Sequence, residues 1–200
     1  MTNKSLVPMK APLSRAFTIV SYLTPDEVKQ LVVEARKRRN GERDALLLLL
    51  LYQTGLRISE ALSLTMTHIH RFEGRPVLKV IGKGRKPRVI ACPDQLENQL
   101  KAYAYTKKLQ PNDQIFPINR QRAWQIIKEV SRMAGFTNKC IYPHLFRHSD
   151  AIERLRQTGN PKALQHHLGH SSTLMVMRYL STLTVEDSVR IQQQVKFDGE

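Results

Sequence analysis

The chain has 200 residues, 41% of them hydrophobic, and carries 32 Lys and Arg against 17 Asp and Glu, a formal net charge of +15. That length allows one domain with a real core, or one domain plus tails, and leaves no room for a second domain of ordinary size. The charge calls for a polyanionic partner, nucleic acid or an anionic membrane surface; aromatics at 6% are too few for a single-strand stacking platform, so double-stranded DNA gripped by its phosphates is the expected partner.

Cys92 and Cys140 stand in no motif spacing, and the first residues lack the continuous apolar stretch of a signal peptide, so a cytoplasmic location is expected. Residues 1–21, with Lys4, Lys10 and Arg15 but no apolar period, read as a flexible basic arm or linker remnant. Thr24-Pro25-Asp26-Glu27 then announces a helix: Thr24 caps, Pro25 suits the first turn, Glu27 closes a capping box, and Val28, Leu31, Val32 and Ala35 form the buried stripe. Arg36 to Arg39 is expected as its solvated end. The Leu46–Leu51 run lies in a second helix, Glu42 to Thr54; Asp44 and Arg57 bound the run to roughly a dozen residues, too short to span a membrane and right for a buried helix. Gly55 stops it. Arg57 opens the next helix with Glu60 three residues on, ordinarily a surface ion pair of small worth.

From Pro76 to Cys92 the period changes to short β-branched runs around Gly82-Lys83-Gly84-Arg85-Lys86, which predicts a hairpin with a basic, glycine-rich tip able to reach a DNA backbone. Helices follow at about Asp94 to Leu109 and Arg120 to Ala134. The stretch His144 to Tyr179 offers imidazoles, a guanidinium and a phenol in one unit. If Pro143 opens a helix, His144 and Arg147 share one face of its first turn near the positive end, where an anion is favoured. Gly169 ends the run that starts at Pro161, His170 follows in the turn, and Ser171 or Ser172 caps a short helix ending near Tyr179. Thr184 to Asp187 caps a last helix with a thin stripe of Val185, Val189 and Val195. His144 and His148 have metal-ligand spacing, and His166, His167 and His170 form a second cluster. Leu145 stands where a zinc-protease motif needs Glu, however, and no Cys pair supports a structural zinc, so no metal or other cofactor is expected.

TGLRISEAL at 54–62, VIGKGRKPRVI at 80–90, HLFRH at 144–148, LGHSS at 168–172 and Tyr179 together resemble, in order and gaps, the catalytic domain of the tyrosine recombinases, or phage integrase family. The resemblance covers residues 22–181 and implies an α+β, mainly α fold with a small antiparallel sheet. It implies that Tyr179 attacks the scissile phosphate to give a 3′-phosphotyrosyl link, that Arg57 and Arg147 hold the non-bridging oxygens with His144 and His170 completing the pocket, and that Lys83 protonates the leaving 5′-oxygen, with Lys86 as competitor. Glu60 matches the acidic support of the first arginine. Arg85, Lys86 and Arg88 are expected on DNA.

Phosphoryl transfer explains that set. Charge spreads over the equatorial oxygens, and guanidinium forks receive it without a metal. A phenol of ordinary pKa near 10 needs cations and a proton acceptor to attack at neutral pH. Because the covalent link conserves the bond, rejoining requires no ATP. Asp150 departs from the family, which usually places an apolar or aromatic residue there; pairing with Arg154 at i, i+4 is its expected role. About twenty residues ahead of the catalytic domain cannot form the usual N-terminal clamp, so the chain is expected either to be a piece of a longer protein or to resemble short members such as the bacterial invertases that switch fimbrial genes. The expected function is site-specific DNA recombination by a homo-oligomer, dimer to tetramer on DNA, with residues 182–200 as a C-terminal helix or tail open to exchange between protomers. The alternatives are a catalytically silent DNA-binding regulator and a type IB topoisomerase-like relaxing enzyme.

Overall fold

The computed structural model describes residues 20–82, 87–169 and 173–192. Helix α1 (Pro25–Arg36) begins as its residues dictate: the Thr24 hydroxyl accepts from the Glu27 N–H, and the Glu27 carboxylate accepts from the Thr24 N–H. It buries Val28, Leu31, Val32 and Ala35. Helix α2 (Gly41–Thr54) is apolar on nearly every side and is therefore the central element, packed by α1, by α4 (Asp94–Thr106) and by α6 (Pro143–Thr158). The α1 end is not simply solvated. Arg38 reaches back to Asp44, 1% exposed, and across to Glu129 at 2.5 Å, because Asp44 sits in the α2 first turn with no water to satisfy it.

Gly55 ends α2 at φ +58°, and the short α3 (Ile58–Leu62) follows. A 3-10 turn at Met66–His68 leads into an antiparallel sheet of order β1 (Ile69–Phe72), β2 (Arg75–Ile81), β3 (Pro87–Ala91), in which Leu78 lies opposite both Ile69 and Ile90. The hairpin of β2 and β3 agrees with the sequence reading; β1 was not anticipated. Its four residues have no buried alternate positions, so they carry no period of two. What makes the strand is the Glu73-Gly74 turn, both residues at positive φ, whose hand matches the strand twist. The tip, Lys83 to Lys86, lies outside the described residues.

Helix α5 (Arg120–Met133) starts from Asn119, whose side chain accepts from the Arg122 N–H, and α6 starts at Pro143. Helix α7 (Pro161–Leu168) is capped by Asn160 and ends at Gly169, φ +62°. The last two expected helices are one, α8 (Leu174–Gln192). Thr184, read as a cap, instead donates its hydroxyl to the Leu180 carbonyl four residues back, and no Gly or Pro interrupts the run. Tyr179 therefore sits within α8, not near its end.

Most helices share one core. A second, smaller cluster, in which Ile152, Leu155, Leu164, Leu168, Val176 and Tyr179 meet, joins α6, α7 and α8. Helix α8 is held to its own chain: Thr182 Oγ1 accepts from the Val20 N–H at 3.0 Å, and Glu186 accepts from Tyr22 and Arg156. Among the described residues no helix is long and apolar enough to cross a membrane.

Candidate active site

The turn at Gly55 is where the site begins. With α2 stopped in a left-handed conformation, Leu56 is buried and Arg57 stands at the head of α3. Glu60, on the next turn, is 7% exposed and carries four hydrogen bonds: the Arg57 N–H at 2.8 Å, Arg57 Nη1 at 2.9 Å, and both Nη atoms of Arg88 at 2.7 and 2.8 Å. Burial works to raise its pKa, but the bonds from Arg88 and Arg57 outweigh it and hold the carboxyl below its ordinary value. Glu60 is thus a fixed anion that aims Arg57, not the surface partner its spacing alone suggests. Arg88 was expected on DNA; its side chain is only 9% exposed and turned inward on Glu60 of α3.

Arg147, on α6, is 3% exposed. Its Nη1 donates to the Gly55 carbonyl and its Nη2 to the Leu168 carbonyl, each at 2.5 Å, so one guanidinium ties the end of α2 to the end of α7. Burial, then the charges of Arg57 and Arg88, lowers its pKa to about 10, which leaves it charged at neutral pH. Three guanidiniums around one carboxylate make a pocket with spare positive charge. His144 lies one turn earlier on α6 and is exposed; partial desolvation, then the charges of Arg147, Arg57 and Arg120, lowers its pKa.

Tyr179 is 1% exposed, and its hydroxyl lies 2.9 Å from Nδ1 of His148. Burial pushes the phenol up to about 12, Asp150 adds to the rise, and Arg147 opposes it. Burial and the nearby His144 and Arg147 lower His148 to about 4, so at neutral pH its ring is uncharged and Nδ1 can accept the phenolic proton. The sequence reading noticed His148 only as a metal-spacing partner of His144. The signal was present: positions 144, 147 and 148 share one helical face, and the third of them meets the phenol.

The structure thus brings together Arg57, Glu60, His144, Arg147 and Tyr179, adds His148 and turns Arg88 inward. His170, Lys83, Arg85 and Lys86 lie outside the described residues. Among the described residues no group of three His, Cys, Asp or Glu is placed to hold a metal ion.

The family model described as the phage integrase family matches residues 21–185. The tyrosine recombinase XerD of Staphylococcus saprophyticus is 34% identical over 151 residues, 70% of this chain and 50% of that protein. The tyrosine recombinase XerA of Thermococcus kodakarensis is 31% identical over 199 residues, 96% of this chain and 67% of that protein. Among solved structures, XerH site-specific recombinase in a post-cleavage complex with its palindromic difH substrate superposes at a TM-score of 0.73, with 22% identity over 88% of this chain and 54% of that one. XerA recombinase superposes at 0.70, with 22% identity over 96% of this chain and 68% of that one. These structural likenesses are of fold. The chain spans half to two thirds of the length of the XerD proteins it matches.

Proposed function

Because this chain belongs to the phage integrase family, we propose that it cuts and rejoins duplex DNA at specific sites through a 3′-phosphotyrosyl bond on Tyr179, without ATP or metal. What supports this most directly is the Tyr179 hydroxyl, held 2.9 Å from an uncharged imidazole beside the buried Arg147. A phenol with a pKa of about 12 is ionised only about one part in 10⁵ at neutral pH, a deficit of roughly 7 kcal/mol. Free phenolate is therefore a poor route. Proton transfer to His148 Nδ1 as the Tyr179 Oη–P bond forms removes that deficit from the ground state. An arriving phosphate also offsets the Arg147 charge that depresses His148, raising the imidazole's proton affinity when it is required.

In the step itself, the Oη–P bond forms and the P–O5′ bond breaks. The phenolic proton passes to His148, and the 5′-oxygen takes a proton from Lys83, the acid proposed on the hairpin tip. Arg57, Arg147 and His144 receive the charge that grows on the non-bridging oxygens, with His170 proposed beside them. Removing one such donor typically costs about 10²–10³-fold in rate. Glu60, which accepts from both the Arg57 N–H and Arg57 Nη1, holds that guanidinium in place. Reversal, with a new 5′-hydroxyl, rejoins the strand.

The domain partition proposed is a catalytic unit at 22–181, with a basic arm before it and a C-terminal tail after it. Recombination by strand exchange further requires two DNA sites in one assembly, so a homo-oligomer, dimer to tetramer on DNA, is part of the proposal. The deciding experiment is covalent trapping on nicked duplex DNA from the sequences flanking the reading frame, in EDTA, with wild type and Tyr179→Phe. An adduct lost only in the variant is expected. An adduct that survives the substitution assigns the wrong nucleophile, and binding without any adduct favours the silent regulator.

A further inference from the structure

Asp150 is a buried carboxylate, 3% exposed, at a position where the resemblance leads one to expect an apolar side chain. An unpaired charge there would cost several kcal/mol. Both oxygens are occupied: Arg154 Nε donates to Oδ1 at 2.7 Å, and His167 Nε2 lies 2.8 Å from Oδ2. Arg154 then extends its Nη2 to the Gln53 carbonyl at 2.7 Å, on the last turn of α2. The Arg154 pairing agrees with the i, i+4 expectation; the His167 and Gln53 contacts cross between elements, and spacing along α6 could not foretell them.

Arg147, Asp150 and Arg154 share one face of α6. From that face two rungs span the same two neighbours. The upper is Arg147, between the carbonyls of Gly55 and Leu168. The lower runs from Gln53 through Arg154 and Asp150 to His167, one residue before Leu168. The lower rung also fills the space beside Gly55, since a Cβ there would lie 2.4 Å from Asp150 Oδ2. The two carbonyls that orient Arg147 thus belong to the same two elements that the lower rung ties together.

We infer that Asp150, with His167 and Arg154, is a positioning cluster that fixes the end of α7 against the α2 turn and so sets the Arg147 guanidinium for the phosphate. This rests on the phosphoryl-transfer reading above. The cluster touches no reacting atom; it acts through Arg147, and a displacement of about 1 Å there is worth on the order of 100-fold in rate.

The test uses nicked duplexes with an ordinary scissile phosphate or with the methylphosphonate diastereomer that removes the charged oxygen facing Arg147. On ordinary DNA, Asp150→Ala is expected to form adduct about 10–100-fold more slowly than wild type, with the loss shrinking to about two- to threefold on the neutral phosphonate, which no longer requires an aligned cation. Asp150→Asn, which can still accept from Arg154 and donate to His167, should stay within about threefold of wild type on both. Equal losses on the two substrates, or no loss in Asp150→Ala, overturn the inference. Should Asp150→Ala fail to fold, His167→Ala removes only the α7 arm and is read against the same two duplexes. A wild type that forms no adduct counts against the reaction and not the cluster. The cluster is then read from the Arg147 Nε–H resonance, whose hydrogen exchange should quicken about tenfold in Asp150→Ala, and unchanged exchange sinks it.

Discussion

Replacing His148 tests the chemistry most closely, because the sequence reading gave it no catalytic role and the fold sets it on the phenol. In His148→Ala the hydroxyl of Tyr179, a residue 1% exposed in the native fold, loses its 2.9 Å partner. An orphaned buried hydroxyl costs about 1–3 kcal/mol of stability, so melting must be followed alongside activity. A positioned general base contributes about 10²–10⁴-fold, and with the phenol at about 12 little uncatalysed ionisation can compensate. Single-turnover adduct formation on nicked DNA should therefore slow by about 10³-fold, with DNA affinity unchanged within about twofold. A duplex whose bridging 5′-oxygen is sulfur separates base from acid, since a thiolate leaves without a proton. The His148→Ala defect should persist on it, whereas the Lys83→Ala defect should largely vanish. Adduct formation by folded His148→Ala at the wild-type rate would refute the reasoning. Rescue by sulfur would move His148 to the leaving-group side.

Arg88→Ala should leave the salt dependence of DNA binding unchanged, because the side chain is spent on Glu60 rather than on a phosphate; cleavage should fall and stability drop by about 3–5 kcal/mol, as for one broken arm of a buried pair. A shallower slope of log affinity against log salt would return Arg88 to the DNA surface. Gly55→Ala places a Cβ 2.4 Å from Asp150 Oδ2 at φ +58°, and chemical denaturation should register a loss of about 1–3 kcal/mol, whereas a neutral substitution would mean that the turn is not tight. His148 is held at about 4 against an ordinary value near 6.5. The folded state thus binds fewer protons than the unfolded state between those values, and stability present above about pH 6.5 should be lost as pH falls to about 4, on the order of 3 kcal/mol in all. His148→Gln should flatten that slope in a pH series of denaturation curves, and an unchanged slope would assign it to other groups.

Local rules sufficed for much of this protein. The Thr24 capping box, the stripe of α1, the apolar α2, the breaks at Gly55 and Gly169 and the β2–β3 hairpin depend on neighbours within a turn or a hairpin, so the sequence determines them. The set Arg57, Glu60, His144, Arg147 and Tyr179 was legible through the family resemblance, whose separated motifs carry those residues in that order. Other features were decided by contacts distant in sequence. Helix α8 is held along one side by the second cluster, in which Val176 and Tyr179 meet Ile152, Leu155, Leu164 and Leu168 of α6 and α7. Spacing placed Arg88 near DNA, yet a carboxylate 28 positions away claimed it. Likewise His148 became the phenol's partner across 31 positions, and Asp150 met His167 across 17. Buried polar groups must find partners wherever packing places them, and periodicity along one helix cannot say which neighbour will be there.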